Sequence, residues 1–449
     1  MTTSPNPTNS SHPSEHDGVF AGLVSPALPL DAAGARIILF NVVLARQAHA
    51  KLGLRFRDEA AGVSLGAILA WLGLAADVEL LAEMPRLPIY LAAARELRER
   101  GRAVDASGAL VLALGAGATG DAGLGELLLV DAAGTVNPLF AEAVDAIRFD
   151  VRFMLREDRE LQRTALQHQV YAALDAQPPR VAHAGVLLPD GDALPAVADL
   201  QRAGIVPAAL RDHLALLGWS PHRPQESFSL AELTALFSVE RLGRSPVRFN
   251  APRLLAFNRR ALRALPRAEL AAGLMEAMQH SGLLESPVPD AARRWVDTFI
   301  AAFGAEFASF HEAVVLVAEL RAEAVLVPAL ELERLRNRQV VFFLDAVGQY
   351  VDAQPELRDL PLDHDLHVIA GEFGLADADA LAAVRMALTG KSAGPPLELL
   401  FPLLGHDRIL IRIGAISSHL LHGRGLEPIK YGPGGVPFKT IAGQRPPDD

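Results

Sequence analysis

From residue 19 onward, short apolar runs alternate with stretches in which apolar residues recur at three- and four-residue spacing. The runs at 19–23, 52–56, 109–114 and 127–131 have the length of strands. Between the first two, residues 35–50 carry apolar positions at helical spacing. This alternation, extending to about Gly218, predicts a mostly parallel, layered α/β domain. From Trp219 the strand signals fade, and helical patterns follow at 230–237, 268–280, 291–302, 310–333, 339–351 and 377–389. The second half is therefore expected to be predominantly α-helical. Residues 1–17, rich in Ser, Pro, Asn and Thr, bury too little apolar surface to offset their ordering entropy and are expected to be disordered. The Gly- and Pro-rich residues 421–449 are expected to be irregular.

Composition narrows this picture. The 449 residues leave room for two to four domains. A formal net charge of −11 argues against wholesale coating of nucleic acid and leaves room for a local basic face. The chain has no cysteine, which excludes disulfides, a thiol nucleophile and cysteine-containing zinc sites. No run is long and apolar enough to span a bilayer, and the N-terminus lacks a basic start followed by an apolar core. A cytoplasmic protein with neither membrane nor DNA partner is the expectation.

Three local patterns suggest chemistry. Gly115-Ala116-Gly117-Ala118-Thr119-Gly120 has the spacing of a dinucleotide fingerprint, but that motif needs a helix to begin at the turn. Here the glycines run on through Gly123 and Gly125 toward another strand, so a hairpin or linker is expected. Asp363-His364-Asp365-Leu366-His367 places four potential ligands together, yet neighbours in a loop rarely converge on one ion, and no metal is expected. Arg241, Arg244, Arg248, Arg253, Arg259, Arg260, Arg263 and Arg267 crowd one stretch of an acidic chain. They form either a solvated helical face or a surface that follows backbone phosphates.

Two longer blocks carry a family resemblance. The first runs from Leu210-Arg211-Asp212-His213 through Gly218-Trp219-Ser220-Pro221. It continues to Phe228-Ser229-Leu230, Arg244-Ser245-Pro246, Phe249-Asn250, Leu254 and Asn258. It resembles the part of bacterial glutamyl-tRNA synthetases that links the catalytic domain to the helical stem-contact domain. The second, Val384-Arg385-Met386-Ala387-Leu388-Thr389-Gly390 with Gly394-Pro395-Pro396-Leu397 and Leu404-Gly405, is similar to that family's anticodon-binding signature. Leu39-Phe40-Asn41, Arg55-Phe56-Arg57-Asp58, Trp71-Leu72-Gly73-Leu74 and Pro189-Asp190-Gly191 keep the same register. The resemblance covers about 19–414. It implies a degenerate Rossmann-like class I synthetase domain over 18–218, with a shortened acceptor-binding insertion at about 105–125. A helical stem-contact domain over 219–325 and a helical anticodon-binding domain over 326–420 would follow.

The departures are concentrated in the implied active site. The family's first nucleotide signature, Ser-Pro-Thr-Gly-x-Leu-His-Ile-Gly, falls on Ser25-Pro26-Ala27-Leu28-Pro29-Leu30-Asp31-Ala32-Ala33-Gly34. Asp31 thus replaces a phosphate-facing histidine, and Ala33 adds a Cβ where backbone should approach closely. The lysine-rich second signature should follow Pro189-Asp190-Gly191. The chain instead reads Asp192-Ala193-Leu194-Pro195, and one lost electrostatic contact of that kind costs about 3–4 kcal/mol of transition-state stabilisation. In the implied amino-acid pocket an arginine falls on Ala21, an acid on Arg57, a tyrosine on Pro138 and an asparagine on Glu142, while Ser25 and Arg156 survive.

The resemblance therefore implies a silent synthetase-like protein that binds tRNA, with tRNA-Glu as the candidate, or a protein partner, with no cofactor. Two alternatives stay open. One is glutamate–tRNA ligation with displaced motifs, which would need ATP and Mg. The other is an enzyme reusing the cleft for another carboxylate, with Arg57 and Arg156 as its anion pocket. Arg241, Arg244, Arg248, Arg253, Arg259 and Arg260 are the expected tRNA contacts.

Overall fold

The computed structural model describes residues 20–114, 125–328, 332 and 335–422. Val19, the expected N-terminal tail, residues 423–449 of the expected C-terminal tail, the Gly115–Gly120 motif and part of the helix expected over 310–333 lie outside the described residues, whereas Leu421 and His422, expected to be irregular, end a helix. Contacts gather the chain into two units, Met1–Asn258 and Arg259–Asp449.

The first unit opens with β1 (Phe20–Val24), α1 (Ala32–Gln47), β2 (Lys51–Phe56), α2 (Glu59–Trp71) and β3 (Val78–Ala82). The strands form a parallel sheet in the order β1-β2-β3. The third strand was not legible in the sequence because its outward positions, Glu79 and Leu80, are exposed and its apolar alternation is broken. Next come α3 (Glu83–Glu99), β4 (Ala103–Ala106), β5 (Ala109–Ala113) and β6 (Glu126–Val130), the strands making an antiparallel sheet. Leu114 N donates to Gly125 O at 2.8 Å, so β5 and β6 flank the glycine-rich segment as antiparallel neighbours.

The chain continues through α4 (Pro138–Arg148), β7 (Phe153–Glu157), α5 (Leu161–Ala173) and β8 (Arg180–Ala184), with β7 and β8 parallel. Then come β9 (Leu187–Leu188), α6 (Val197–Arg202), α7 (Pro207–Ala215), α8 (Leu230–Leu236) and β10 (Val247–Arg248), which pairs with β9. The boundary between the units falls inside α9 (Ala251–Ala264).

Helix α1 is the axis of this unit, buried on nearly every side. Two polar residues within it tie the strands together. Asn41 donates to Leu155 O at 2.9 Å and accepts from Leu155 N at 3.0 Å, satisfying backbone groups of β7. Arg36, fully buried, donates to Glu157 and Gly185 O at 2.6 Å and to Leu217 O at 3.0 Å. Gly22 is glycine because a Cβ there would sit 3.3 Å from both Asn41 Oδ1 and Phe153 O.

His213 on α7 is buried against the rings of Phe249 and Phe257. Burial, with the nearby charge of Arg253, lowers its pKa from 6.5 to about 4. Above pH 6.5 the folded and unfolded states are both neutral here. Between 6.5 and about 4 the unfolded chain binds a proton that the folded chain refuses, so stability falls as pH falls. At about 1.4 kcal/mol per pH unit this window holds roughly 3 kcal/mol. Urea unfolding at pH 7 and pH 4.5 is expected to show most of that loss in the parent chain and to show it shrink in His213→Gln. An equal loss in the variant would assign it elsewhere.

The second unit is all helical among its described residues: α10 (Arg267–His280), α11 (Asp290–Phe303), α12 (Phe310–Arg321), α13 (Arg338–Asp352), α14 (Leu362–Glu372), α15 (Asp377–Thr389) and α16 (Leu397–His422). The helix expected over 310–333 ends at Arg321, with Ala322 extended. Helix α15 closes on Gly390 at φ 74°, a left-handed cap that suits glycine. Helix α16 is broken at Gly405, where φ is 75°. The Asp363–His367 cluster opens α14. There Asp365 accepts from Tyr350 Oη at 2.6 Å, and His367 pairs with Asp377 at 2.7 Å. Among the described residues no three His, Cys, Asp or Glu converge as metal ligands, and no helix is long and apolar enough to cross a membrane.

Candidate functional site

Sequence signals placed the site at the start of α1, and the structure shows what sits there. Asp31 is the N-cap of α1, and its Oδ1 accepts from Gly34 N at 2.8 Å. A helix N-terminus carries unsatisfied N–H groups and partial positive charge, which is why it attracts anions. Here the chain's own carboxylate satisfies it. The segment at 195–197 then straps the same turn. Ala32 N donates to Pro195 O at 3.0 Å, and Val197 N donates to Leu30 O at 2.9 Å. The connection carrying Asp192, itself exposed, thereby leads straight into a backbone bridge between Asp31 and Ala196. Ala33 is fully buried.

Beside this turn lies a buried ionic network. Glu142 on α4 is 3% exposed and accepts from Arg156 of β7 through Oε1. Its Oε2 accepts from Arg163 of α5 at 2.6 Å and from Ser25 Oγ at 3.2 Å. Burial opposes ionisation of Glu142, but Arg156, Arg163 and Arg55, with the Ser25 hydroxyl, outweigh it and hold the carboxyl below its usual range. Arg156 is completed by Thr164 Oγ1 at 3.0 Å and Gln167 Oε1 at 2.6 Å. The buried Tyr171 hydroxyl has no hydrogen-bond partner among the described residues, and burial, with the Glu142 charge close by, raises its pKa.

Arg55 of β2 continues the network. It donates to Ser25 Oγ at 3.1 Å and to Asp145 Oδ2 at 2.8 Å, and pairs with Glu83 at 3.2 Å. Asp145, fully buried on α4, also accepts from Arg86 at 2.8 Å and from Tyr90 Oη at 2.6 Å. Burial and the Asp145 charge push the Tyr90 phenol up to about 12.

The structure therefore brings together Ser25, Arg156 and Glu142, as the sequence register suggested, but it corrects one member. Arg57 lies exposed just beyond β2, and the arginine that reaches Ser25 is Arg55, two residues earlier. Strand alternation explains why. Side chains two apart share a face, but Arg57 has left the strand, so its neighbour's orientation no longer binds it. Asp145, Arg163 and Arg86 were not singled out from sequence. The available signal was Asp145 itself, an acid set among Phe140, Ala143, Val144 and Ala146 on a buried helix. Two small surface grooves, one including Leu91, Arg95 and Asp105 and the other Asp363, His367 and Asp377, contain no residue of this network.

The arginine-rich stretch does not act as one free surface. Arg241 is committed to the loop before it, donating to Ser220 O at 2.6 Å and Pro221 O at 2.9 Å. Arg253 pairs with Glu226 at 3.3 Å and covers the Phe257 ring. Arg248 is exposed and uses one nitrogen on Pro189 O, and Arg244 is exposed. In the second unit Arg259 and Arg260 are exposed on α9, while Arg263 and Arg267 donate to Ala305 O and Asp297 O.

Comparison with known proteins agrees with this architecture. The model of an anticodon binding domain family matches residues 271–416. The glutamate–tRNA ligase 1 of Rubrobacter xylanophilus is 32% identical over 425 residues, covering 87% of this chain and 95% of that protein. The glutamate–tRNA ligase of Desulfitobacterium hafniense is 27% identical over 313 residues, covering 67% of this chain and 64% of that protein. Among solved structures, a glutamate–tRNA ligase from Elizabethkingia meningosepticum superposes with a TM-score of 0.69 at 15% identity, covering 89% of this chain and 98% of that one. At that identity the likeness establishes the shared fold.

Proposed function

The chain belongs to the glutamyl-tRNA synthetase family, and from that premise we propose that it is a catalytically silent member which retains tRNA binding. The observation that carries this reading is the self-satisfied start of α1. Asp31 caps the helix end, and the segment at 195–197 bonds to both sides of it. A triphosphate approaching that end would meet a carboxylate already in place. No lysine stands at 189–197 to stabilise charge developing on a transferring phosphoryl group. Pairing of Arg156 with Glu142 also disfavours the alternative of an enzyme acting on another carboxylate.

ATP–pyrophosphate exchange with glutamate, with and without tRNA, is expected to stay at the no-enzyme blank. Asp31→His alone is expected to restore nothing, because catalytic groups that act as a unit are grossly non-additive. Exchange clearly above the blank would sink the silent reading. Binding of tRNA is expected to weaken linearly in log affinity against log salt. Within the arginine-rich stretch of the first unit, Arg244 and Arg248 are the exposed arginines with no carboxylate partner among the described residues. Changing both to Ala is expected to flatten the slope by up to about two units if each meets a phosphate. Filter binding across a salt series reads this directly. Absence of binding even at low salt would redirect the proposal to a protein partner.

A further inference from the structure

We infer that Glu142 is an internal ligand: its carboxylate fills, from within the chain, a pocket whose chemistry is that of a carboxylate-binding site. Three cations, Arg55, Arg156 and Arg163, and one hydroxyl, Ser25, converge around Glu142 from four different elements of sequence. Two of those guanidinium groups and the hydroxyl bond directly to its two oxygens, one donor on Oε1 and two on Oε2. Two of the three cations have partners besides Glu142. Thr164 and Gln167 position Arg156, while Asp145 and Glu83 position Arg55. Such a cradle has the preorganised form of an anion site, charge-assisted on both oxygens, and it stays assembled when the acid is shortened.

Two consequences follow. In the native chain the Arg156, Arg163 and Ser25 donors that reach Glu142 are already answered by its two oxygens, so a free carboxylate, glutamate included, would first have to displace Glu142. In Glu142→Ala the side chain loses a CH₂–COO⁻ fragment, and the group that matches the vacancy is acetate. Arg163, with a side chain 33% exposed, lies at the solvent edge and gives a small anion its route in.

The test is a thermal melt of the full-length chain in sodium acetate, sodium glutamate or sodium chloride at matched ionic strength and pH 7. Glu142→Ala in chloride is expected to lose about 10 °C in Tm, as a buried cation cluster loses its counter-charge. Acetate is expected to return several degrees of that loss, rising with concentration as for a ligand that binds only the folded state. The parent chain is expected to melt alike in all three salts. Glu142→Gln fills the space without charge and is expected to show no preference for acetate. If Glu142→Ala does not fold in chloride, refolding yield from urea in acetate against chloride reads the same quantity. A Glu142→Ala chain as stable as the parent, equal rescue by chloride, or stabilisation of the parent by glutamate over chloride would each overturn the assignment. Because the pocket is the one invoked for the proposed function, the two are separated by their readouts. Absent tRNA binding overturns only the retained role, and an acetate-indifferent Glu142→Ala overturns only the internal ligand.

Discussion

Replacing Asp145 with Asn is expected to destabilise the chain by about 3–5 kcal/mol, the range for breaking a buried ion pair from one side. Asp145 is fully buried and answers three donors, from Arg55, Arg86 and Tyr90. Of these, Arg55 is itself fully enclosed. Burial alone would lower the Arg55 pKa, and it is the charges of Asp145, Tyr90, Glu83 and Glu142 that raise it instead. Without Asp145, its remaining direct ionic partner is Glu83, whose side chain is 24% exposed and 3.2 Å away. Asparagine keeps the shape and one acceptor but supplies two donors facing guanidinium groups, which adds repulsion to the lost charge. Arg55→Met is expected to be damaging alone. In the Asp145→Asn background it should cost much less, because contacting residues in one network are non-additive. Urea unfolding of the parent, both single variants and the double variant completes the cycle. An Asp145→Asn chain within about 1 kcal/mol of the parent would mean that water or rearrangement replaces the acid easily.

A second large effect is expected at Arg412, where Met should destabilise the helical unit by about 4 kcal/mol. Arg412 is 2% exposed on α16 and, among the described residues, pairs with no acid; its partners are backbone carbonyls. It donates to Glu319 O at 2.8 Å, Leu320 O at 3.0 Å and Ala322 O at 2.6 Å, at the C-terminus of α12, and to Leu388 O at the end of α15. Helix C-termini carry unsatisfied carbonyls and partial negative charge, so one cation serves two helices at once. Burial, with Arg408 nearby, lowers its pKa to about 10, which leaves it charged at neutral pH. Methionine fills the space but strands buried acceptors, each worth about 1–3 kcal/mol. Arg412→Lys is expected to recover only part of the loss, since a compact ammonium cannot reproduce a planar fork spanning two helix ends. Thermal melts of the three chains check this. Equal Tm values for Arg412→Met and the parent would show that the carbonyls find other donors.

Much of the architecture was legible without coordinates because it rests on local periodicity. The alternation of apolar runs with helical spacing marked β1, α1, β2, β5 and β6 within a few residues, and five of the six helices expected in the second half likewise. The helix at 310–333 overran because its apolar spacing continues past Arg321. Periodicity registers which residues are apolar, but where a helix stops depends on what receives its last carbonyls. Here that is Arg412, about 90 residues later. Strand β3 was missed for the converse reason, since an edge strand with exposed outward positions has too little apolar pattern to announce itself.

The candidate site divides along the same line. Asp31 could be read from sequence as a residue out of place, because a helix cap is local: the acceptor and the N–H it serves lie three residues apart. Ser25, Arg156 and Glu142 could be matched to the family pattern one by one. That Glu142 closes on Arg156 and Arg163, and that Arg55 rather than Arg57 reaches Ser25, depended on which faces of β2, α4 and β7 meet, across separations of 14 to 117 residues. The strap at 195–197 shows the difference most plainly. In sequence it is a stretch lacking lysines. Only the fold shows that its backbone groups bond to the turn beside Asp31, because hydrogen-bond donors and acceptors are the same at every residue, and nothing in a side-chain pattern says which of them will pair.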